Sequence, residues 1–355
     1  MSLVNRLIGF FNRHQTVVLL AVPLIVAGIV INAFGSRLLV DIYTYFCVSL
    51  ALVYSLQVFM GNSGILAWTQ VGFMGIGAYA TGILVTPPGV KEMGVPNMYP
   101  ALVDLSVPIL PAIVIAALVT GLVAVIIGYP LMRLNDFASV ITLFAMLVVM
   151  HTIMTQWDNV TNGPRTFFGL PQWTTWGIAL TTALAMLGLA YWFRESGLGL
   201  RLRATRDDRH AAAAIGIDMV FTRYLGFVLS AMMAGLVGGV WSLYITSFSP
   251  KAFYMGEMFV LLSMLVIGGS GGVSGATIGA VMVTLSRELL RQLESIINNA
   301  HVLSFEVFGL TELVMAVLMV VVLVWRPAGI IGGQELRLPR LGKKKGPAEA
   351  NGAAS

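Results

Sequence analysis

Eight long apolar runs, near 16–34, 38–60, 64–86, 107–128, 137–156, 175–193, 223–246 and 308–325, dominate this chain. A hydrocarbon core roughly 30 Å thick needs about 20 apolar residues per helix. Each run is therefore read as a membrane span. A further apolar stretch, 258–298, is broken by Gly268-Gly269-Ser270-Gly271-Gly272-Val273-Ser274-Gly275. It reads as two short spans or as one re-entrant pair. The expectation is an all-α polytopic membrane protein of about ten transmembrane helices, or eight as the lower count. Of the 355 residues, 57% are hydrophobic and only 10% are charged, where a soluble domain carries roughly 25% charged residues. The mean hydropathy is +0.87. A water-facing globule of this length cannot hide so much apolar surface. Soluble enzymes and disordered chains are excluded together. Cys47 is the sole cysteine, which excludes a disulfide scaffold.

The basic residues suggest an orientation. Arg194, Arg201, Arg203, Arg206, Arg209 and Arg223 crowd one loop, and six more lie between Arg326 and Lys345. With Arg6, Arg13 and Arg133, these regions hold 15 of the 21 Lys and Arg residues. Cytoplasmic loops of membrane proteins are enriched in such residues. Six spans before the loop and four after it put both termini in the cytoplasm. The net charge of +5 then reflects topology and not a nucleic-acid partner. The expected organisation is a cytoplasmic N-terminus (1–15), a transmembrane domain (16–325) and a disordered cytoplasmic tail (326–355). The first apolar run lacks a clear small-residue cleavage site and is read as a retained span.

Polar groups inside the spans are costly, so their positions carry information. Gly61-Asn62-Ser63-Gly64 follows one span directly, and Trp68-Thr69-Gln70 opens the next, ahead of Gly72, Gly75 and Gly77. Glycines at this density allow close helix packing or local unwinding. Unwound backbone survives at membrane depth only where protein buries it or it lines a cavity. An intramembrane amide needs a partner, which marks Asn62 and Gln70 as pathway candidates. Enzymatic chemistry finds little support. The four histidines are scattered, and no Gly-x-x-x-x-Gly-Lys-Ser/Thr string is present, so the phosphate-cradling loop of an ATPase is absent from this sequence. Asp41, Asp136, Glu257 and Glu312 sit near span ends and read as boundary charges. A carrier driven by an ion gradient, the alternative function, usually needs an acid well inside a span. A receptor or intramembrane enzyme would need a soluble domain or a catalytic cluster, and neither stands out.

The loop 194–223 is the most distinctive feature. Ser196-Gly197-Leu198-Gly199 leads into Leu200-Arg201-Leu202-Arg203-Ala204-Thr205-Arg206-Asp207-Asp208-Arg209-His210, then Ala211 to Ala214, Ile215 and Gly216. Alanine favours helix, and glycine favours the position after a helix end. The stretch reads as a short helix whose small residues let another protein's groove approach the backbone. A solvated linker helix is the competing reading.

These residues resemble the permease subunits of branched-chain amino acid type ABC importers, the LivM-like family. The resemblance is carried by Gly199-x-x-Arg-x-Arg-Ala-x-Arg-Asp-Asp, by Ala211-Ala212-x-x-x-Gly216-Ile217, and by the glycine-rich runs from Phe227 to Gly239 and Val266 to Gly279. Gly75-Ile-Gly-Ala-Tyr79, Ile141-Thr142-Leu143, Trp157-Asp-Asn-Val-Thr161-Asn-Gly163 and Arg326-Pro-Ala-Gly-Ile-Ile-Gly332 add to it. The resemblance implies a second homologous permease, two cytoplasmic ABC ATPase subunits and a periplasmic solute-binding protein, in a bacterial inner membrane. It implies no cofactor in this chain, because ATP is used by the ATPase subunits. Arg206, Asp207, Asp208, Ala212 and Gly216 would belong to the coupling helix. Asn62, Trp68, Thr69, Gln70 and Thr142 would line the substrate pathway. Two stretches depart from the family pattern: Gly64-Ile-Leu-Ala-Trp-Thr-Gln70, and Thr161 to Gly169 with Arg165 and no acid. Both adjoin the expected route, so the cargo stays open among branched-chain amino acids, other amino acids, urea, short amides and small carboxylates.

Overall fold

The structure is a computed structural model that describes residues 15–299, 309–326, 329–331 and 335. Residues 1–14 of the expected N-terminal segment (1–15) and the tail beyond 335 lie outside the described residues. Among the described residues, ten apolar helices of 14 residues or more make up the body. They are α1 (Gln15–Phe34), α2 (Arg37–Leu56, continued by a π-turn, Gln57–Gly61), α3 (Gln70–Val85), α4 (Ile109–Met132) and α5 (Asp136–Gln156). They continue with α6 (Trp176–Glu195), then two short helices, α7 (Gly197–Asp207) and α8 (Arg209–Ala214), then α9 (Met219–Ile245), α10 (Met255–Gly268), α11 (Val273–Asn299) and α12 (Leu310–Trp325). Eight of the described helices are long and apolar enough to cross a membrane, α10 among them once the 3-10 turn Pro250–Phe253 is added. The other two, α3 and α12, have 16 residues each.

Three details differ from the sequence reading. The span read as 64–86 is helical only from Gln70, because Gly64 takes a positive φ of 75° and residues 64–67 have no regular structure. The glycine break after Gly268 is present, but only its first arm is short: α10 has 14 residues and α11 has 27. The tail was expected to be disordered from 326. Its first residues instead pack against the α10–α11 turn, where the Ile330 and Ile331 amides donate to Ile267 O and Gly268 O at 3.0 and 3.2 Å.

The centre of the molecule is the trio of α3, α4 and α9, while α2 packs chiefly against α6 and α9. In lipid, helices have no water to expel from their contacts, so close backbone approach and internal hydrogen bonds replace hydrophobic burial. Small residues supply that approach. A Cβ on Gly77 would meet Gly235 O of α9, and a Cβ on Gly238 would meet Met74 O of α3. A Cβ on Gly72 would meet Met150 Sδ at 2.5 Å, and one on Gly75 would meet Met154 Cε at 2.7 Å, both methionines being on α5. For these three α3 glycines the packing reading holds. The rim is looser. Within their spans 17% of α1 and 28% of α5 is buried, against 61% of α9. Val22, Val26 and Ile29 of α1, Leu118, Leu122 and Ile126 of α4, and Ile141, Val149 and Ile153 of α5 face outward, as lipid-facing side chains do.

The two ends are built differently. One gathers Arg133, the α6–α9 loop, the α10–α11 turn and Arg326. The opposite end is an ordered cap. Lys91 is buried there and donates to the carbonyls of Leu102 (3.1 Å), Val103 (3.3 Å) and Leu105. Thr161-Asn162-Gly163 is a tight turn with positive φ at Asn162 and Gly163. Tyr79, Phe167, Trp241, Phe248 and Phe253 form an aromatic cluster with centroids 5.0–6.0 Å apart, mostly edge-to-face, with Phe167 stacked on Phe248. Phe167 and Phe248 also exchange backbone hydrogen bonds at 2.8 and 3.0 Å.

The α3–α9 contact can be tested directly. Gly238→Leu is expected to cost about 3 kcal/mol or more, because backbone and not a flexible side chain blocks the new atoms. Gly177→Ala, at a position with nothing within 4 Å, is expected to leave stability unchanged. Thermal unfolding of the detergent-solubilised chain followed by size-exclusion chromatography measures both.

Candidate functional site

The basic end carries a rigid, outward-facing loop. Ser196 Oγ accepts from Gly199 N at 3.2 Å and caps α7. Asp208 Oδ1 accepts from His210 N (2.8 Å) and Ala211 N (3.0 Å) and caps α8. The Ala211 and His210 amides hold this carboxyl below its ordinary range, so the cap operates above the usual carboxylate pKa and is lost as pH falls through the lowered one. Gly216, at φ +79°, ends α8. Its amide bonds Ala213 O at 3.0 Å, and the Ile217 amide bonds Ala212 O at 3.1 Å, a paired C-terminal motif that needs a left-handed residue.

The small-residue surface of α8 is real, but one residue on it points the other way. Ala212 is buried against the protein, while Ala211, Ala213, Ala214 and Ile215 are exposed, Ile215 by 75%. Ala212 seats the helix, and the outward face belongs to its neighbours. Asp207 is exposed.

Charges fix this loop to the span ends. Asp136, at the start of α5, pairs with Arg209 of α8 and with Arg223 of α9, the latter at 2.9 Å. Arg206 Nη1 donates to Gly61 O at 2.6 Å. Glu335, its side chain 2% exposed, pairs with Arg194 at 3.0 Å. The same carboxylate accepts from Val273 N at 2.9 Å, Ser274 N at 3.2 Å and Ser274 Oγ at 2.5 Å. A carboxylate at a helix N-terminus satisfies amides that have no intrahelical partner. The tail is thereby clamped to α11 and to the end of α6.

The expected pathway residues fall into three kinds. Gln70 is fully engaged. Its Nε2 donates to Ser55 Oγ (2.8 Å) and Ser230 O (3.0 Å), and its Oε1 lies 3.1 Å from Ser230 Oγ. This amide ties α2, α3 and α9 together in the present conformation. Thr142 donates to Ala138 O of its own helix at 2.7 Å, and Trp68 sits edge-on between Phe144 and Phe259, 5.4 Å from each. Asn62 and Thr69 are buried and incompletely satisfied: Asn62 Nδ2 donates to Val58 O at 2.9 Å, but Asn62 Oδ1 and Thr69 Oγ1 have no partner. Gln57 was missed. It is fully buried, and neither end of its amide has a partner. The signal was there, since an amide inside the apolar run 38–60 meets the same criterion as Gln70.

Gln57, Asn62, Trp68, Thr69, Gln70 and Thr142 line neither of two cavities formed by the described residues. One, about 290 Å³, opens at the basic end among Ser63, Gly64, Asp136, Arg206, Arg209 and Ser270. The other, about 440 Å³, is an apolar cleft between α3, α4 and α5, lined by residues that include Ile76, Ala80, Ile83, Val123, Met146 and Ile153.

The comparison with protein families decides the class. Residues 37–323 match the family described as the permease component of branched-chain amino acid transport systems. The chain belongs to this family. This permease is 26% identical to the high-affinity branched-chain amino acid transport system permease protein LivM of Salmonella typhimurium, over 90% of this chain and 75% of that protein. It is 25% identical to LivM of Escherichia coli K12, over 94% and 79%. It is also 30% identical to the E. coli LivH permease, over 45% of this chain and 47% of LivH. No solved structure matches it.

In the permease, Gln70 and Thr142 should behave differently. Gln70→Leu is expected to cost about 1–3 kcal/mol by removing the buried hydrogen bonds to Ser55 and Ser230. Thr142→Val should stay within about 0.5 kcal/mol, because only a bond to its own helix is lost. Comparing their thermal midpoints in one detergent checks both.

Proposed function

We propose that this permease is one half of the membrane gate of an ATP-driven importer. Its basic end faces the cytoplasm of a bacterial cell, and the membrane is the inner one. A second, LivH-like permease completes the gate, two ABC ATPase subunits drive it, and a periplasmic binding protein delivers cargo to the opposite end. The observation that carries this reading is α8: a short helix capped at both ends, presenting small and apolar side chains to solvent, and bolted to α5 and α9 through Asp136. A helix that transmits force must be rigid in itself and firmly tied to what it moves. Nucleotide-driven motion of an ATPase groove would pass through Arg209 and Arg223 to α5 and α9. It would pass through Arg206 to the end of α2.

The reading that an ion gradient drives transport gains nothing from the interior. Among the described residues, no Asp or Glu of a span is buried, and Asp136 and Glu257 are paired with arginines. For cargo, the apolar cleft favours a solute with an aliphatic side chain over urea or a short amide, in keeping with the family. A branched side chain is small beside 440 Å³ and leaves room for entry.

Two tests follow. Ile215→Glu should weaken capture of the ATPase subunits by about 2 kcal/mol, roughly thirtyfold, without affecting membrane insertion. Undiminished capture would remove α8 from the coupling role. Ala80→Trp, which fills the cleft, should slow uptake of leucine in vesicles holding the whole complex while ATPase capture is kept. Vesicles holding this chain alone should accumulate nothing with or without an ion gradient, and accumulation there would overturn the ATP-driven reading.

A further inference from the structure

We propose that the π-turn Gln57–Gly61 is a movable gate of the transport path, and that Gln57 is the polar residue it presents to the cargo. This deepens the import reading above and rests on it.

Four observations converge on this turn. First, α2 abandons α-helical hydrogen bonding over Gln57–Gly61. Such one-turn π segments are rare and recur at functional sites, because an extra residue in a helix can be moved along it. Second, Gln57 is wholly buried with both amide atoms unpartnered. At the other end of the turn Asn62 Oδ1 is unpartnered too, and so is Thr69 Oγ1 where α3 begins. Buried polar atoms without partners are expensive, and more so where no water can reach them. A leucine at 57 would be cheaper in this conformation, so the amide is not there for packing. Gln70, thirteen positions along and fully bonded, shows what an intramembrane amide with a structural role looks like. Third, the turn is gripped from the basic end. Gly61 O accepts from Arg206 at 2.6 Å, and a Cβ on Gly64 would come within 3.1 Å of Arg206 Cγ. Fourth, the turn has room for nothing else on its far side, because a Cβ on Gly61 would meet Ser270 O of the α10–α11 turn.

Together these describe a polar turn closed against its neighbours and attached by one charged hydrogen bond to the loop that carries α8. Displacing Arg206 pulls on the carbonyl of Gly61. Shifting the extra residue along α2 rotates Gln57 and Asn62 out of their dry site. A primary amide offers two N–H donors and one acceptor, so it can pair with both the carboxylate and the ammonium of a zwitterionic solute. The amide then exchanges an unpartnered state for a hydrogen-bonded one while cargo passes, which lowers the barrier for the headgroup and not for an apolar molecule.

The test uses the full complex of both permeases, ATPase subunits and binding protein in vesicles, with leucine as the probe. Gln57→Leu is expected to leave the thermal midpoint equal to or above wild type, while initial uptake falls about tenfold or more and ATP hydrolysis persists. A purely structural Gln57 would move stability and uptake down together, and uptake within about twofold of wild type would overturn the proposal. A second arm uses Gln57→Cys in a Cys47→Ala background with a charged thiol reagent. Labelling should be slow at rest and rise about tenfold when leucine-loaded binding protein and ATP are present. Unchanged labelling in every condition would overturn the gate. Wild-type vesicles that take up leucine without ATP would instead overturn the import reading, leaving the stability and labelling arms to judge the turn.

Discussion

Helices that meet inside hydrocarbon cannot be held together by expelling water, and the whole arrangement of this permease depends on what replaces that force. At its centre, α3 and α9 touch backbone to backbone through Gly77, Gly235 and Gly238. One amide, Gln70, then closes hydrogen bonds to both neighbouring helices. Any larger residue at the glycines would separate the two helices by more than the Gln70 hydrogen bonds can span. The packed trio of α3, α4 and α9 is the central frame. Against it, α1 and α5 are lightly held, with their outward faces apolar.

The two ends of that frame do different work. The far end is stiffened by an aromatic cluster and by a lysine buried among carbonyls. The basic end instead concentrates ion pairs at points where separate elements meet: Asp136 joins α5, α8 and α9, and Glu335 joins the tail, α6 and α11. Exposed ion pairs contribute little to stability, and Asp136 is nearly half exposed. Their value here is geometric, since they fix the direction in which a push on α8 is passed on. The buried Glu335 cluster differs, because its carboxylate is satisfied by an arginine and by helix-terminal donors at once.

Some of the site was legible before any geometry. The capping residues Ser196 and Asp208, the alanine run and Gly216 act locally, within three or four residues, so their pattern suffices to place α7 and α8. Whether an alanine on a six-residue helix faces in or out is not local, and Ala212 turned out to be the inward one. Gln57 and Gln70 look alike in the sequence, each an amide in an apolar run. Their opposite states arise because Ser55 and Ser230 converge on one and nothing converges on the other. The tail beyond Arg326 reads as a polar appendage, yet Glu335 finds its partners 141 and 62 positions away, at Arg194 and Val273.

The sequence by itself determined that this chain is a bundle of apolar helices with one strongly basic end, because span length and charge segregation are imposed by the bilayer on any chain. It also determined the short capped helix, because caps and left-handed glycines are read within one turn. Only the tertiary structure decided which polar groups inside the membrane are paired, which glycines carry packing, and where α2 breaks into a π-turn. Those outcomes depend on which distant backbone atoms come within 3 Å of each other. A sequence states the chemistry of its side chains, but not which of them will meet.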